Sequence, residues 1–374
     1  MKKKKVIVLG AGVVGRAIAK DLSKECIVTT ADWNREALKK VRSAGVKTIQ
    51  FDLSKYKGIR QLVQNFDLVI GAVPGFMGFQ TLKAVIEAKK NVIDISFFPE
   101  DAFHLNKLAQ QNNVTAVVDC GIAPGLSNMI AGYHHHQMMI ENFECYVGGL
   151  PKERKPPFEY KAPFSPVDVI EEYLRPARLM KNDEEVTLDA LSEIELMHFE
   201  KVGELEAFNT DGLRSLLETV DIPNMKEKTL RYPGYAKKMI LLRDAGFFSQ
   251  NVIDVSGKKL KPIDFAKSIL FKQWKLEKGE KEFTIMRVIV EGNENGKPAR
   301  YQYDIYDEYD EKTGISSMAR TTGYTCTAAA RLVLESDYDQ IGISPPEFIG
   351  ARTVCFDYVI NSLKEKGISV EINK

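Results

Sequence analysis

The first ~120 residues alternate short apolar runs with stretches of helical period, the pattern of a parallel sheet covered on both faces. The apolar runs predict strands at Lys5–Leu9, Cys26–Ala31, Val46–Phe51, Leu68–Ala72, Val92–Ile95 and Thr115–Val118. Between them, helices are predicted over Val14–Leu22, Arg35–Ser43, Lys55–Gln64, Gly78–Ala88 and Asp101–Gln111. These lengths suit right-handed βαβ crossovers.

The rhythm then changes. Leu126–Met139 reads as one helix and Asn142–Val147 as a strand, and Pro151–Pro166, with five prolines, reads as a long loop. Alternating segments follow at Ser192–Phe199, Lys228–Tyr232, Phe283–Glu291 and Ala299–Tyr306, with a hairpin turn over Gly292–Gly296. Thr321–Glu335 is helical again. The expected fold is α/β: a Rossmann doubly wound parallel sheet plus a second α/β domain with a mixed or antiparallel sheet. Residues 1–122 and 321–374 are assigned to the first domain and 123–320 to a substrate and oligomerisation domain. The apolar faces of Phe283–Val290 and Tyr301–Tyr306 are the expected contact surface of a homo-oligomer.

Composition narrows the function classes. The chain has 374 residues, 44% hydrophobic and 28% charged, which excludes a mainly disordered protein. Its 52 basic and 51 acidic residues leave a net charge of +1, so nucleic acid and membrane are not expected partners. Met1–Lys5 is basic, but the apolar run after it ends at Leu9, too short for a secretory signal, and a cytoplasmic location is expected. Five scattered cysteines with no C-x-x-C pair predict neither disulfides nor a structural metal. The run His134-His135-His136 cannot chelate one ion, because consecutive helical residues point in different directions; a partly exposed helix face is expected there.

The strongest chemical signal is V-I-V-L-G-A-G-V-V-G at Val6–Gly15, between a strand and a helix. Gly10 permits the tight turn, Gly12 leaves room for a pyrophosphate, and Gly15 lets helix and strand pack closely. Asp32 ends the second strand, where a carboxylate accepts hydrogen bonds from ribose hydroxyls and repels a 2′-phosphate, so NAD is the expected cofactor. Val13, Val14, Trp33, Asp52, Ala72, Val73 and Pro74 complete the candidate cofactor set. Asp52 serves equally well as a cap for the helix after Ser54.

Other motifs follow in order: V-V-D-C-G-I-A-P-G-L at Val117–Leu126, Y-V-G-G-L-P at Tyr146–Pro151, E-Y-K-A-P-F-S-P at Glu159–Pro166, G-E-L-E-A-F-N-T-D-G-L at Gly203–Leu213 and T-L-R-Y-P-G at Thr229–Gly234. The ordered set resembles the saccharopine dehydrogenase-like family over nearly the whole chain, most closely its lysine 6-dehydrogenase branch. The resemblance implies a nicotinamide cofactor and oxidation at an amine-bearing carbon of a lysine-derived substrate. Saccharopine-forming relatives tend to carry P-N-R-D-S after E-A-F, whereas Asn209–Leu213 here has no arginine. Family relatives also often place Cys before G-G-L-P, where this chain has Val147, with Cys145 two residues earlier. Both departures favour lysine itself. The alternatives are a saccharopine- or carboxynorspermidine-type reductase and, from another class, a non-catalytic NAD-binding regulator.

Lysine sets its own requirements. Its carboxylate wants a guanidinium fork, for which Arg231 is the candidate. Its α-ammonium wants a carboxylate, Asp211 or Asp119. Its ε-amine must lose a proton before hydride leaves, so a base is needed. Asp94 and Asp119 are the candidate bases, Tyr160, Lys161 and Tyr232 candidate relays, and Cys120 and Thr210 candidate contacts. Asp94 and Asp119 also read as caps of the following helices, Cys120 as a packed core residue and Arg231 as a surface charge.

Overall fold

The structure, a computed structural model, describes residues 3–162, 166–277 and 279–374. The first half builds β1 (Lys5–Leu9), α1 (Val13–Leu22), β2 (Ile27–Asp32), α2 (Arg35–Arg42), β3 (Lys47–Gln50), α3 (Tyr56–Leu62), β4 (Leu68–Gly71), α4 (Gly75–Glu87), β5 (Val92–Asp94), α5 (Asn106–Gln111) and β6 (Thr115–Val117). Next come α6 (Leu126–His135), β7 (Met139–Pro151), α7 (Pro166–Glu172), β8 (Ala177–Lys181), β9 (Glu184–Leu188), β10 (Glu195–Phe199), β11 (Gly203–Asn209), α8 (Leu216–Thr219) and β12 (Asn224–Arg231). Then follow α9 (Tyr235–Asp244), the hairpin β13 (Ile253–Val255) and β14 (Lys258–Leu260), α10 (Pro262–Trp274), β15 (Glu282–Glu294) and β16 (Lys297–Glu308). The chain closes with α11 (Ser317–Glu335), β17 (Gly342–Ser344), α12 (Pro346–Gly350), α13 (Thr353–Glu365) and β18 (Ser369–Asn373). Residues 163–165 of the proline-rich loop lie outside the described residues.

Strands β17-β6-β5-β4-β1-β2-β3 form one parallel sheet in that order. Val6 to Leu9 of β1 are fully buried, and hydrophobic clusters lie on both faces of the sheet, which is why its strands read as continuous apolar runs. The strand order reverses between β1 and β4, so the loops after both open into a crevice at their C-terminal ends. Among the described residues the second sheet has nine strands. Its main path is β10-β11-β12-β7-β15-β16-β18, with β8 and β9 attached to β12, and only β12 and β7 pair in parallel. The fold is therefore a Rossmann sheet joined to a mixed α/β domain.

Several boundaries differ from the sequence reading. The helix expected to reach Met139 stops at His135, and Met139 opens β7. The hairpin turn is tighter than Gly292–Gly296: Asn295 and Gly296 alone adopt positive φ (53° and 80°), and β15 runs on to Glu294. Gly292 instead sits at a register shift, where a Cβ would lie 2.0 Å from the Met139 carbonyl oxygen. The histidine run is partly exposed as expected, His135 and His136 facing out, but His134 is buried. Its ring bonds the Tyr303 hydroxyl at 2.8 Å, and burial lowers its pKa to about 4. Of the faces expected to meet a second subunit, one is covered by this chain itself, with Met286, Val288, Val290, Tyr301, Tyr303 and Ile305 all buried in the core, while Ile289 and Tyr306 on the other are half-buried. Among the described residues no helix is long and apolar enough to cross a membrane.

The C-terminal stretch divides between the sheets. β17 extends the first, but β18 pairs with β16 of the second, so the expectation that all of 321–374 joins the first domain does not hold for its last strand. Asp21 on α1 anchors the return. Its Oδ2 accepts from Arg331 Nη2 at 2.9 Å and from Thr327 Oγ1 at 2.9 Å, and its Oδ1 from Lys366. Burial alone would raise the Asp21 pKa, but Lys366 and Arg331 outweigh it and hold the carboxyl well below the usual range. A depressed carboxyl contributes stability that is present above its unfolded pKa and lost as pH falls through the folded one. Acid unfolding should therefore steepen below about pH 4. Asp21→Asn should flatten that limb and destabilise by on the order of 3 kcal/mol at neutral pH, measured by urea unfolding.

Candidate active site

A cavity of about 600 Å³ opens where the two sheets meet, lined by the loops after β1, β2, β4, β5 and β6 and by β7, α7 and β12. On the first-domain side Gly10 has φ +122°, and a Cβ there would lie 2.2 Å from the Ala72 carbonyl oxygen. A Cβ on Gly15 would lie 2.3 Å from the Gly10 carbonyl oxygen, so helix and turn meet at backbone contact. Around Gly12 a Cβ would find nothing within 4 Å: that space belongs to the cavity. No side chain caps the first turn of α1, so its N–H groups remain available to an anion. This is a cradle that fits a pyrophosphate.

Asp32 lines the cavity at the end of β2. Its two oxygens accept from the Ala11 N–H and the Asn34 N–H, each at 2.7 Å, so the carboxylate also fixes the glycine turn. Val13, Trp33 and Phe76 stand exposed along the rim, and Val14, Ala72, Val73 and Pro74 line the wall. Asp52 is not brought into this set. It is exposed, its Oδ1 accepts from the Ser54 N–H (3.1 Å) and Ser54 Oγ (2.6 Å), and Leu53 lines the cavity in its place.

On the second-domain side β12 alternates, and Glu227, Thr229 and Arg231 share the face turned to the cavity. Arg231 is 3% exposed. Its Nη1 donates to the Leu230 carbonyl and its Nη2 reaches Tyr173 (3.2 Å), Tyr160 (3.4 Å) and Glu172 (3.5 Å), while the buried Nε has no hydrogen-bond partner among the described residues. Tyr160 thus lies beneath the guanidinium, 4.5 Å from ring centre to Cζ, and does not itself line the cavity. Thr210 does line it, and its hydroxyl bonds Glu227 Oε2 (2.8 Å) and Thr229 Oγ1 (2.9 Å). Burial pushes the Glu227 carboxyl up to about 8 and that of Glu172 up to about 7.

The remaining sequence candidates are committed elsewhere. Asp119 lines the cavity but is held by Arg214, whose Nε and Nη2 reach its two oxygens at 3.0 and 3.3 Å. Asp211 is held the same way by Arg178 (2.9 and 3.2 Å), so neither carboxylate is free for an ammonium. Asp94 is fully buried behind the wall. Its Oδ1 accepts from the Ser96 N–H at 2.7 Å, and burial raises its pKa to about 8. Cys120 packs in the core, where burial pushes its thiol up. Lys161 donates to the Lys275 carbonyl (3.1 Å) and Tyr232 to the Pro151 carbonyl (2.8 Å), both away from the cavity. The sequence reading missed Glu227, Glu172 and Arg175. The period of two on β12 pointed to Glu227 once Arg231 was chosen; nothing comparable marked Glu172 and Arg175.

An open parallel sheet with a glycine cradle at its switch point, facing a second domain rich in buried charge, defines a two-domain dinucleotide-binding protein. Comparison with known proteins specifies it further. Residues 6–117 match the family model "Saccharopine dehydrogenase NADP binding domain" and residues 121–368 match "Saccharopine dehydrogenase C-terminal domain". The chain belongs to the saccharopine dehydrogenase family. It is 24% identical to the saccharopine dehydrogenase [NADP(+), L-glutamate-forming] of Pyricularia oryzae, covering 98% of each chain. It is 22% identical to the mitochondrial alpha-aminoadipic semialdehyde synthase of Mus musculus, matching 92% of this chain but spanning only 45% of that protein. Among solved structures, apo saccharopine dehydrogenase (L-Glu forming) from Saccharomyces cerevisiae superposes with a TM-score of 0.80 at 19% identity, covering 99% of each chain. Homospermidine synthase from Legionella pneumophila, solved in complex with NAD, gives a TM-score of 0.71 at 14% identity, covering 100% of this chain and 91% of that one.

Proposed function

We propose that this protein is an NAD-dependent oxidoreductase that deaminates L-lysine at its ε-carbon, giving an aldehyde that closes on its own α-amine as 1-piperideine 6-carboxylate and releasing ammonia. The observation that carries this reading is the single cavity joining the Gly10–Gly15 cradle to Arg231, a buried guanidinium with an unpartnered nitrogen. A nicotinamide dinucleotide, held by the glycine turn, Asp32, Trp33 and Val73, supplies the hydride acceptor. Arg231 takes the substrate carboxylate and so sets which end of the molecule faces the first domain. The apolar wall of Phe76, Met77, Ile122 and Met318 keeps water from the reacting carbon until hydride has left.

The family model is named for NADP, and Asp32 is the ground for proposing NAD instead. A carboxylate there repels a 2′-phosphate, and Arg35, three residues on, is exposed and donates from Nε to Gln50 Oε1 at 2.8 Å. NAD should bind more tightly than NADP, and Asp32→Ala should weaken NAD and narrow the gap. Asp32→Asn separates lost charge from lost shape. Fluorescence titration of both cofactors checks this; equal affinities in the unmutated protein exclude the assignment.

One observation favours a second reading. Arg175 also lines the cavity, its Nη1 4.0 Å from Asp211 Oδ2, so two guanidiniums border it. That would suit a saccharopine-type substrate carrying a further carboxylate. Comparing turnover of lysine and saccharopine separates the two.

A further inference from the structure

The deamination reading needs a group that accepts the proton of the substrate amine, and the carboxylates anticipated from the sequence are paired or walled off. Glu227 is neither. Its side chain is buried, with the residue 6% exposed, yet it lines the cavity. Oε2 is oriented by the Thr210 hydroxyl, which Thr229 braces in turn, and Oε1 makes no hydrogen bond to the described residues. The backbone makes room for this group. A Cβ on Gly212 would lie 2.2 Å from Glu227 Oε2, so a side chain there would displace the carboxylate.

We propose that Glu227 meets the amine of the substrate and takes its proton, leaving a neutral amine from which hydride can depart. The inference rests on the proposed oxidation of a primary amine and adds the residue that reading lacks. In chemical terms an N–H bond of the ammonium breaks and its proton passes to Glu227. The electron pair of the adjacent C–H bond then leaves as hydride for the oxidised nicotinamide dinucleotide, while the nitrogen lone pair closes the C=N bond.

The surroundings suit a carboxyl that changes charge on binding. Burial, followed by Glu172 on α7 and Asp211 beyond β11, raises its pKa to about 8, against the opposing pull of Thr210 and of Arg231 on its own strand. Cys145, its register partner on β7, stays a neutral thiol because burial and Glu227 push it up. At pH 7 the free site therefore holds a proton. A cationic amine placed beside Oε1 favours the charged carboxylate, so binding should expel that proton to solvent.

Calorimetry of the cofactor-free full chain tests this, titrating lysine and cadaverine at pH 7 in buffers of different ionisation enthalpy. Proton release approaching one per site is expected, and Glu227→Gln should abolish it. The same variant should lower kcat by on the order of a hundredfold while leaving dinucleotide affinity unchanged, and Glu227→Asp should recover part. Retained dinucleotide binding shows that the variant is folded. Should Glu227→Gln fail to fold, Thr210→Val takes its place: loss of the orienting hydrogen bond should shift the pH dependence of kcat upward. Turnover by Glu227→Gln within threefold of the unmutated protein, or an unmoved pH dependence in Thr210→Val, overturns the assignment alone. No binding of either amine to the unmutated protein overturns the amine reading and this inference with it.

Discussion

Arg231→Ala is expected to lower kcat/KM for lysine by roughly thirty- to a thousand-fold, the cost of about 2–4 kcal/mol for removing a charge-assisted hydrogen bond from a shielded site. The geometry makes the effect specific. Nη1 and Nη2 are engaged by the Leu230 carbonyl, Tyr160, Tyr173 and Glu172, so the protein fixes the guanidinium in the cavity wall. Discrimination against cadaverine, lysine without its carboxylate, should shrink in parallel. Arg231→Lys should recover only part, because an ammonium cannot form the planar fork and would not fill the space above the Tyr160 ring. Removal also leaves the buried Glu172 without its cation, so some loss of thermal stability should accompany the kinetic defect. Steady-state kinetics with both amines is the check; unchanged kcat/KM and unchanged preference would make Arg231 a structural residue.

The second large effect separates two glycines of the same turn. Gly12→Ala should fold normally, since its Cβ meets no protein atom, yet weaken dinucleotide binding by roughly tenfold to a hundredfold by filling the phosphate approach. Gly10→Ala should instead cost on the order of 3 kcal/mol of stability, because its Cβ would strike the Ala72 carbonyl and φ is +122°. Thermal unfolding with and without NAD distinguishes them: Gly12→Ala keeps its melting temperature but loses the ligand-induced rise, and Gly10→Ala melts early in both.

The first domain was legible because its physics is local. β1 and β4 are buried on both faces and so carry unbroken apolar runs, and the turn at Gly10 needs glycine for reasons that spacing alone reveals. The second domain was harder to read. β9 went unnoticed because it is exposed or half-buried along its whole length and carries no apolar run, and β12 was seen only from Lys228 onward. The site shows the same division. Asp32 and the cofactor wall follow from motif position. The pairing of Asp119 with Arg214 and of Asp211 with Arg178 joins residues 95 and 33 positions apart, and no local pattern announces it. Asp52 met neither expectation: it bonds Ser54 outside the cavity, and the first turn of α3 has no side-chain cap. Glu172 and Arg175 flank the end of a seven-residue helix whose partner, Arg231, lies beyond four intervening strands.

The central claim is that one cavity brings a dinucleotide and a primary amine of a carboxylate-bearing substrate together for oxidation. A spectrophotometric screen for NADH formation across lysine, saccharopine, ornithine and diaminopimelate tests it most directly, with ammonia measured alongside. The account predicts NADH from lysine with one ammonia per NADH, and less from ornithine, whose side chain is one methylene shorter. NADH from saccharopine without ammonia would move the protein to the two-carboxylate reading that Arg175 supports. Absence of NADH with every one of these amines, in a protein that binds NAD, would contradict the account.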